Sequence, residues 1–465
     1  MATEKKVALV SLGCPKNLLD SEVMLGKLFE EGYELTVDPV DAEYLIVNTC
    51  GFIQDAKEES IEHILEMAEI KAKYAGKKLV VSGCLAQRYG NELLREMPEI
   101  DVLVGTGHFH QMPEVLVQLE SPTPRREYLS DNVYLYRETD TRIQTTLSHT
   151  AYLKIAEGCN HKCTFCIIPN MRGLLNSRTV ASIVAEAEQL SIAGVREAIL
   201  IAQDSTEYGT DIGLRDGLAT LLSDVHERVP ALDWLRVLYL YPSMVRPSLL
   251  DVYAQHERIC KYFDMPMQHV SDRLLRSMKR GYTQKTLLRL LDGIRQRMPE
   301  AAIRTTFIVG FPGETPADVD VLLKFLERAQ LDRVGVFTYS LEEGTPSYDL
   351  PGRVPAREAA HRRREIMALQ QEISWQKHQA LVGRDAWVLI DEAATEFEPA
   401  VGRLSSQAPD IDGVVYVNGP VESGELVRVE ITSAEAYDLT ARLGGSEALA
   451  DPNLLHQGDN QNWTG

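Results

Sequence analysis

Gly158–Cys166 reads GCNHKCTFC and sets three cysteines at 159, 163 and 166. The run before it, Ala151–Ala156 (AYLKIA), has the apolar character of a strand, so the cysteines fall on the loop at its carboxyl end. Thiolates are the protein ligands of iron–sulfur clusters, and a tight loop can wrap three of them around one cluster. A four-iron cubane held this way keeps one iron without a protein ligand, and chemistry can happen there. A structural zinc site is the rival reading, but zinc closes with four ligands. The sequence has no second Cys-x2-Cys, and His161 lies inside the loop, where its geometry is poor. Ligand count favours iron–sulfur.

A chain of 465 residues is too long for one ordinary core and predicts two or three domains. With 44% hydrophobic and 25% charged residues it has the composition of a soluble globular protein. No apolar run is long enough to span a bilayer, and the start, MATEKKVALVSLGC, reads as a first strand rather than a signal peptide. The expected location is the cytoplasm, with no membrane partner. A net charge of −20 repels nucleic-acid phosphates and suits a basic partner, although solubility alone also accounts for it. Seven cysteines in a cytoplasmic chain argue against a disulfide framework.

Upstream of the loop one pattern occurs three times. VALVSLGC ends at Cys14, EYLIVNTC at Cys50 and KLVVSGC at Cys84. Each is an aliphatic run suited to a strand buried on both faces, and each delivers a cysteine just past its last apolar residue. Spacings of 36 and 34 residues suit strand–helix–strand units, with helices expected at Ser21–Glu31 and Asp55–Ala75. In a parallel sheet with right-handed crossovers the strand ends share one edge, so the three thiols can converge. Free cysteines are often merely buried. Their recurrence at one point of three successive units favours a second cluster over packed thiols. Cys260 stands alone and reads as packed.

The stretch from Pro113 to Thr150 is irregular and reads as a linker, and His108 and His110 in GTGHFH as loop residues at its border. Beyond it, strands expected at 152–156, 198–202, 235–241, 262–266, 303–309 and 333–339 alternate with helical patterns. Six such units predict a partial (β/α)6 barrel, whose site lies at the carboxyl ends of the strands. Gln203 ends the second strand, and GFPGET (310–315) follows the fifth. Gly310 and Gly313 let backbone approach a ligand, and Thr315 can cap the next helix. Arg172, Arg178 and Arg304 are candidate contacts to cofactor or substrate, or equally ion-pair residues. HRRRE (361–365), inside a long helix expected at 355–381, reads as a solvated connecting face. The last part alternates in short runs, AWVLID, GVVYVN and LVRVEIT, and predicts a small β-barrel. Between 383 and 445 it has twelve acidic residues, four arginines and no lysine, net −8, which argues against direct RNA binding.

Cys-x3-Cys-x2-Cys after a first barrel strand resembles the radical S-adenosylmethionine (SAM) superfamily. LKIAEGCNHKCTFCIIPNMRG, with GCPKNLLDSE, NTCGF and SGCLAQRY upstream, resembles the methylthiotransferases, and PKN after Cys14 the branch that modifies ribosomal protein uS12. The last part resembles a TRAM domain. The resemblance implies an α/β amino-terminal domain (1–120), a radical SAM domain (145–380), a TRAM domain (383–445) and a mobile tail (446–465). It implies two 4Fe-4S clusters, one on Cys159, Cys163 and Cys166 and an auxiliary one on Cys14, Cys50 and Cys84. SAM is the implied radical source and methyl donor, with Gln203, Arg304, Gly310 and Gly313 beside it. The implied reaction is methylthiolation of an aspartyl β-carbon of uS12, started by a 5′-deoxyadenosyl radical, with a reductant protein supplying electrons. The same chemistry on a tRNA adenosine, or a non-catalytic iron–sulfur carrier or ribosome assembly factor, are the alternatives.

Overall fold

The computed structural model describes residues 5–444; the tail expected from 446 onward lies outside the described residues. The first sheet holds β1 (Lys6–Ser11), β2 (Glu34–Leu35), β3 (Tyr44–Thr49), β4 (Lys78–Gly83), β5 (Val102–Val104) and β6 (Glu127–Tyr128). All neighbours are parallel, in the order β2-β1-β3-β4-β5-β6. Every residue of β3 is buried, because helices cover both faces and two separate apolar cores form on them. The helices are α1 (Pro15–Glu30), α2 (Gln54–Lys73), α3 (Cys84–Glu96) and α4 (Met112–Leu119). Helix α2 lies where its periodicity puts it. Helix α1 starts earlier than Ser21, since Pro15 occupies its first turn with Cys14 as N-cap residue.

The segment expected as a linker is partly regular. Helix α4 and strand β6 complete the sheet, and the remainder is strapped down by polar contacts distant in sequence. Glu22 accepts from the Thr145 amide at 2.7 Å and pairs with Arg142 at 2.6 Å. Arg142 also reaches Glu186 at 3.0 Å. Partners 44 to 123 residues apart leave no periodicity to read.

Six parallel strands follow: β7 (Thr150–Lys154), then, after the short antiparallel pair β8 (Ala156–Glu157) and β9 (Asn176–Ser177), β10 (Glu197–Ile201), β11 (Trp234–Val237), β12 (Tyr262–Asp264), β13 (Ala302–Val309) and β14 (Arg333–Thr338). They form two three-stranded halves, β7-β10-β11 and β12-β13-β14, joined where Leu235 bridges Ile259. Strands β7 and β14 do not pair, so the barrel is partial, as expected. Strand β11 stops at Val237 rather than running to Tyr241, because Tyr239 adopts a left-handed backbone (φ 64°).

The carboxyl-terminal part is a closed barrel of β15 (Asp385–Glu392), β16 (Ala400–Leu404), β17 (Val415–Asn418), β18 (Leu426–Ala434) and β19 (Leu439–Leu443). Three of these strands were expected; β16 and β19 are additional. This barrel sits on the starts of the parallel strands. Arg403 pairs with Glu197 at 2.7 Å, Arg236 donates to the Ser405 carbonyl at 2.8 Å, and Tyr262 donates to Asp412 at 2.6 Å. The helix Ala356–Gln379 connects the two barrels. Its basic run is not wholly solvated, since Arg362 is buried and pairs with Glu314 at 3.5 Å. Among the described residues no helix is long and apolar enough to cross a membrane.

Candidate functional site

Strands β1, β3 and β4 are adjacent and in register, so their carboxyl ends stand side by side. Cys14, Cys50 and Cys84 follow those ends and come together on one edge. The Cys50 thiol is pushed up to about 12, first by burial and then by Cys84 and Cys14 beside it. Burial likewise raises Cys84. Asn17 ties this edge together, donating to the Leu12 carbonyl at 2.7 Å, while Asn48 donates to the Asn17 carbonyl and to Ser21, both at 2.8 Å.

The second triplet sits on the loop after β8. Gly158 turns that loop at φ 79°, where a Cβ would meet the Leu174 carbonyl oxygen at 2.1 Å, so only glycine fits. The Cys159 amide donates to Gly173 at 3.1 Å and that of Cys166 to Cys163 at 3.2 Å. Burial pushes the Cys159 and Cys166 thiols up to about 12. Arg280 donates to Cys163 Sγ at 3.2 Å. His161 turns toward Asp204, 2.6 Å away, and stacks on Tyr241 with ring centroids 3.8 Å apart.

A buried charge network joins the two triplets. Lys154 pairs with Asp20 of α1 at 2.5 Å and with Glu157 at 2.9 Å. Arg172 pairs with Asp20 at 2.5 Å and with Glu157 at 3.3 Å, and donates to Asn17 at 3.0 Å and to Cys84 Sγ at 3.3 Å. Gln203 donates to Glu157, and its own Oε1 is buried without a partner. Four ionic side chains, each no more than 5% exposed, therefore lock the amino-terminal helix onto the ends of the barrel strands. Of the four, sequence reasoning singled out only Arg172. The readable signal was Lys154, a lysine within an apolar strand run.

The other expected site residues are placed as follows. Gly310 has φ 77° and packs so closely on the connecting helix that a Cβ would lie 2.7 Å from the Cβ of Ala359. The Gly313 amide donates to Gly352 at 2.7 Å. Within the same turn Glu314 accepts from the Gly310 amide, and Asp318 returns to the Thr315 amide at 2.9 Å, which makes Thr315 a helix cap. Arg304 pairs with Asp264 at 2.7 Å and faces Asp412 at 3.8 Å. Arg178 pairs with Glu186 on the helix Val180–Ile192. His108 contacts Ser130 at 2.8 Å, and His110 stacks on Tyr134. Cys260 is buried in the apolar cluster that holds Trp234, Leu238 and Tyr262.

The donor set fits two iron–sulfur groups. All seven cysteines are free thiols, and six of them form the two triplets. Four of the six, Cys50, Cys84, Cys159 and Cys166, are pushed up by burial toward the protonated form, a state that a strongly cationic metal centre reverses. Beside them the Gln203 Oε1 is buried without a hydrogen-bond partner, an acceptor that a small polar ligand could satisfy, whereas the buried His269 Nε2 and Glu314 Oε1 face each other at 3.8 Å.

Comparison with known proteins agrees with this architecture. Residues 6–105 match the uncharacterized protein family UPF0004, residues 153–326 the radical SAM superfamily and residues 382–443 the TRAM domain. The fold is shared with the radical SAM methyltransferase TsrM of Kitasatospora setae, with a TM-score of 0.54 at 16% identity over 74% of this chain and 75% of that one. The ribosomal protein uS12 methylthiotransferase RimO of Solibacter usitatus is 46% identical over 94% of both chains. The protein of that name from Myxococcus xanthus is 47% identical over 95% of this chain and 92% of its own. With identity of that level along nearly the whole length, this chain belongs to the uS12 methylthiotransferase family of radical SAM enzymes.

Proposed function

We propose that this protein transfers a methylthio group to the β-carbon of an aspartate in ribosomal protein uS12. The observation that carries the reading is the pair of cysteine triplets brought to one interface by the network of Asp20, Lys154, Glu157 and Arg172. Cys159, Cys163 and Cys166 would hold one 4Fe-4S cluster, and Cys14, Cys50 and Cys84 the other. When bound, these groups and SAM supply the radical chemistry that an unacidic C–H requires, together with the sulfur and methyl that are transferred.

The chain's own residues provide position and exclusion of water. Gln203 offers its free Oε1 to SAM while its amide is fixed by Glu157. Gly310 and Gly313 shape the turn whose glutamate, Glu314, is anchored by Arg362. Arg304 acts one step away, holding Asp264 in place. Helix α1 roofs the strand ends, with Leu19 buried against Leu238 and Tyr239 alongside. The acidic surface of the small barrel suits a Lys/Arg-rich protein and opposes phosphate. A separate reductant protein delivers electrons, and the reaction takes place in the cytoplasm.

The test is the intact mass and peptide map of uS12 from cells with and without this gene, with tRNA hypermodification assayed in parallel. Loss of one methylthio group from a uS12 aspartate, with tRNA unchanged, is the expected result. Loss on tRNA with uS12 untouched would move the substrate and keep the chemistry. No change in either would leave an iron–sulfur carrier as the reading.

A further inference from the structure

Three lysines are buried in the described structure: Lys16, Lys77 and Lys154. Lys77 donates to the carbonyls of Pro39, Val40 and Ala42, and Lys154 to Asp20 and Glu157. Lys16 is different. Lys16 is 7% exposed and its ammonium has no hydrogen bond or ion pair among the described residues; it lies over the face of Tyr239, 3.0 Å from the ring centroid, with Cys14 the first of the charged groups around it. The nearby carboxylate, Asp264, is already engaged on both oxygens, by Arg304 at 2.7 Å and by the Tyr239 amide at 3.0 Å. Burying an ammonium against one ring, without an anion, is costly.

The ring beneath it is held deliberately. Tyr239 has φ 64°, a conformation that costs a non-glycine residue strain and persists only where its surroundings impose it. Asp264 fixes its amide, and its carbonyl accepts from the Ser205 amide at 2.9 Å. That backbone turns the ring across the mouth of the barrel, under the first turn of α1. Lys16 follows Cys14 by two residues, lies over Tyr239 just past the end of β11, and has Cys14, Asp264, Glu157 and Arg172 as its charged neighbours, so it stands between the first triplet and the ends of the barrel strands.

An acceptor carbon that receives sulfur from one triplet and loses hydrogen at the other must pass through that space. In the proposed substrate the acceptor is the β-carbon of aspartate, one bond from a carboxylate. We infer that Lys16 receives the side-chain carboxylate of the aspartate being modified and is the residue that positions this substrate. The inference rests on the proposed uS12 activity and adds the reader of the acceptor's charge.

The test compares two uS12 peptides, one with the acceptor aspartate and one with asparagine there, binding to SAM-loaded holoenzyme. Wild type, Lys16→Met and Lys16→Arg are measured, with iron content as the check of integrity. Wild type is expected to prefer the aspartate peptide by roughly 30-fold or more in Kd, Lys16→Met to bind the two within about threefold, and Lys16→Arg to keep part of the preference. A Lys16→Met enzyme that keeps the full preference overturns the inference. So does loss of iron from that variant, which would assign Lys16 to the thiolates instead. Wild type that binds neither peptide refutes the uS12 reading itself and takes this inference with it.

Discussion

Arg172 Nε lies 3.3 Å from Cys84 Sγ, so a guanidinium that follows the barrel's cysteine loop ends on a thiol of the first sheet. The same group neutralises Asp20 and Glu157. Arg172→Met leaves those two buried carboxylates to share Lys154. The expected cost is about 3–5 kcal/mol, the usual result of removing one partner of a buried ionic group. Urea unfolding of wild type and variant measures it, and an unchanged midpoint would show that the network does not join the two parts.

Metal removal should expose an order among the thiols. Cys14 is exposed, whereas Cys50, Cys159 and Cys166 have been pushed up to about 12 by burial. At pH 8 a thiol of that pKa is ionised in roughly one molecule in 10,000, and only the thiolate reacts. Alkylation of iron-free protein followed by peptide mass mapping should therefore label Cys14 first. Cys50, Cys159 and Cys166 should lag by about 1000-fold relative to an ordinary cysteine. Equal labelling of all six would mean that the triplets are open without metal.

His378 makes the joint between the connecting helix and the small barrel sensitive to acid. Its Nδ1 donates to the Glu435 carbonyl at 3.1 Å, and its Nε2 is buried without a partner. Burial first, then Arg333, lowers its pKa to about 4 from 6.5. Between those values the unfolded chain binds a proton that the folded chain refuses, so stability is full above pH 6.5 and falls as the pH drops toward 4. Allowing for solvent screening, the loss is about 1–2 kcal/mol. His378→Gln should flatten the denaturation midpoint across that window; a profile as steep as wild type would remove His378 as the cause.

Legibility followed the range of the interactions. Val7–Val10, Leu45–Val47 and Leu79–Val81 announced buried parallel strands because every residue of such a strand is apolar. The cysteines that follow them could be placed on one edge by topology alone. Helix α3 was hidden because it starts at Cys84 itself and kinks at Gly90, which breaks its period. The strap from Arg137 to Thr146 looked like a loop because Glu22 and Glu186, which hold it, are far away in the chain. Asp20 lies just ahead of the helix expected at Ser21–Glu31, and nothing around it in the sequence marks it for burial. Only the folded chain brings it to Lys154, 134 residues later. Tyr239 carried no signal at all, since its left-handed turn is imposed by Asp264 and Ser205 rather than by its own neighbours.

The roof over the barrel mouth has a consequence for how the protein is made. Lys16 and Tyr239 touch although they are about 220 residues apart. At a synthesis rate of 5–20 residues per second the ribosome needs about 10–45 s to pass from one to the other. Cys14, Cys50 and Cys84 have all emerged well before that, on a sheet that can already fold, while Arg172 and the barrel that cover them are still unmade. For about 8–30 s after Cys84 is made the first triplet stands uncovered in the nascent chain. Birth order thus gives metal delivery, or oxidant, its widest access to these three cysteines before the barrel packs against them and leaves only Cys14 exposed.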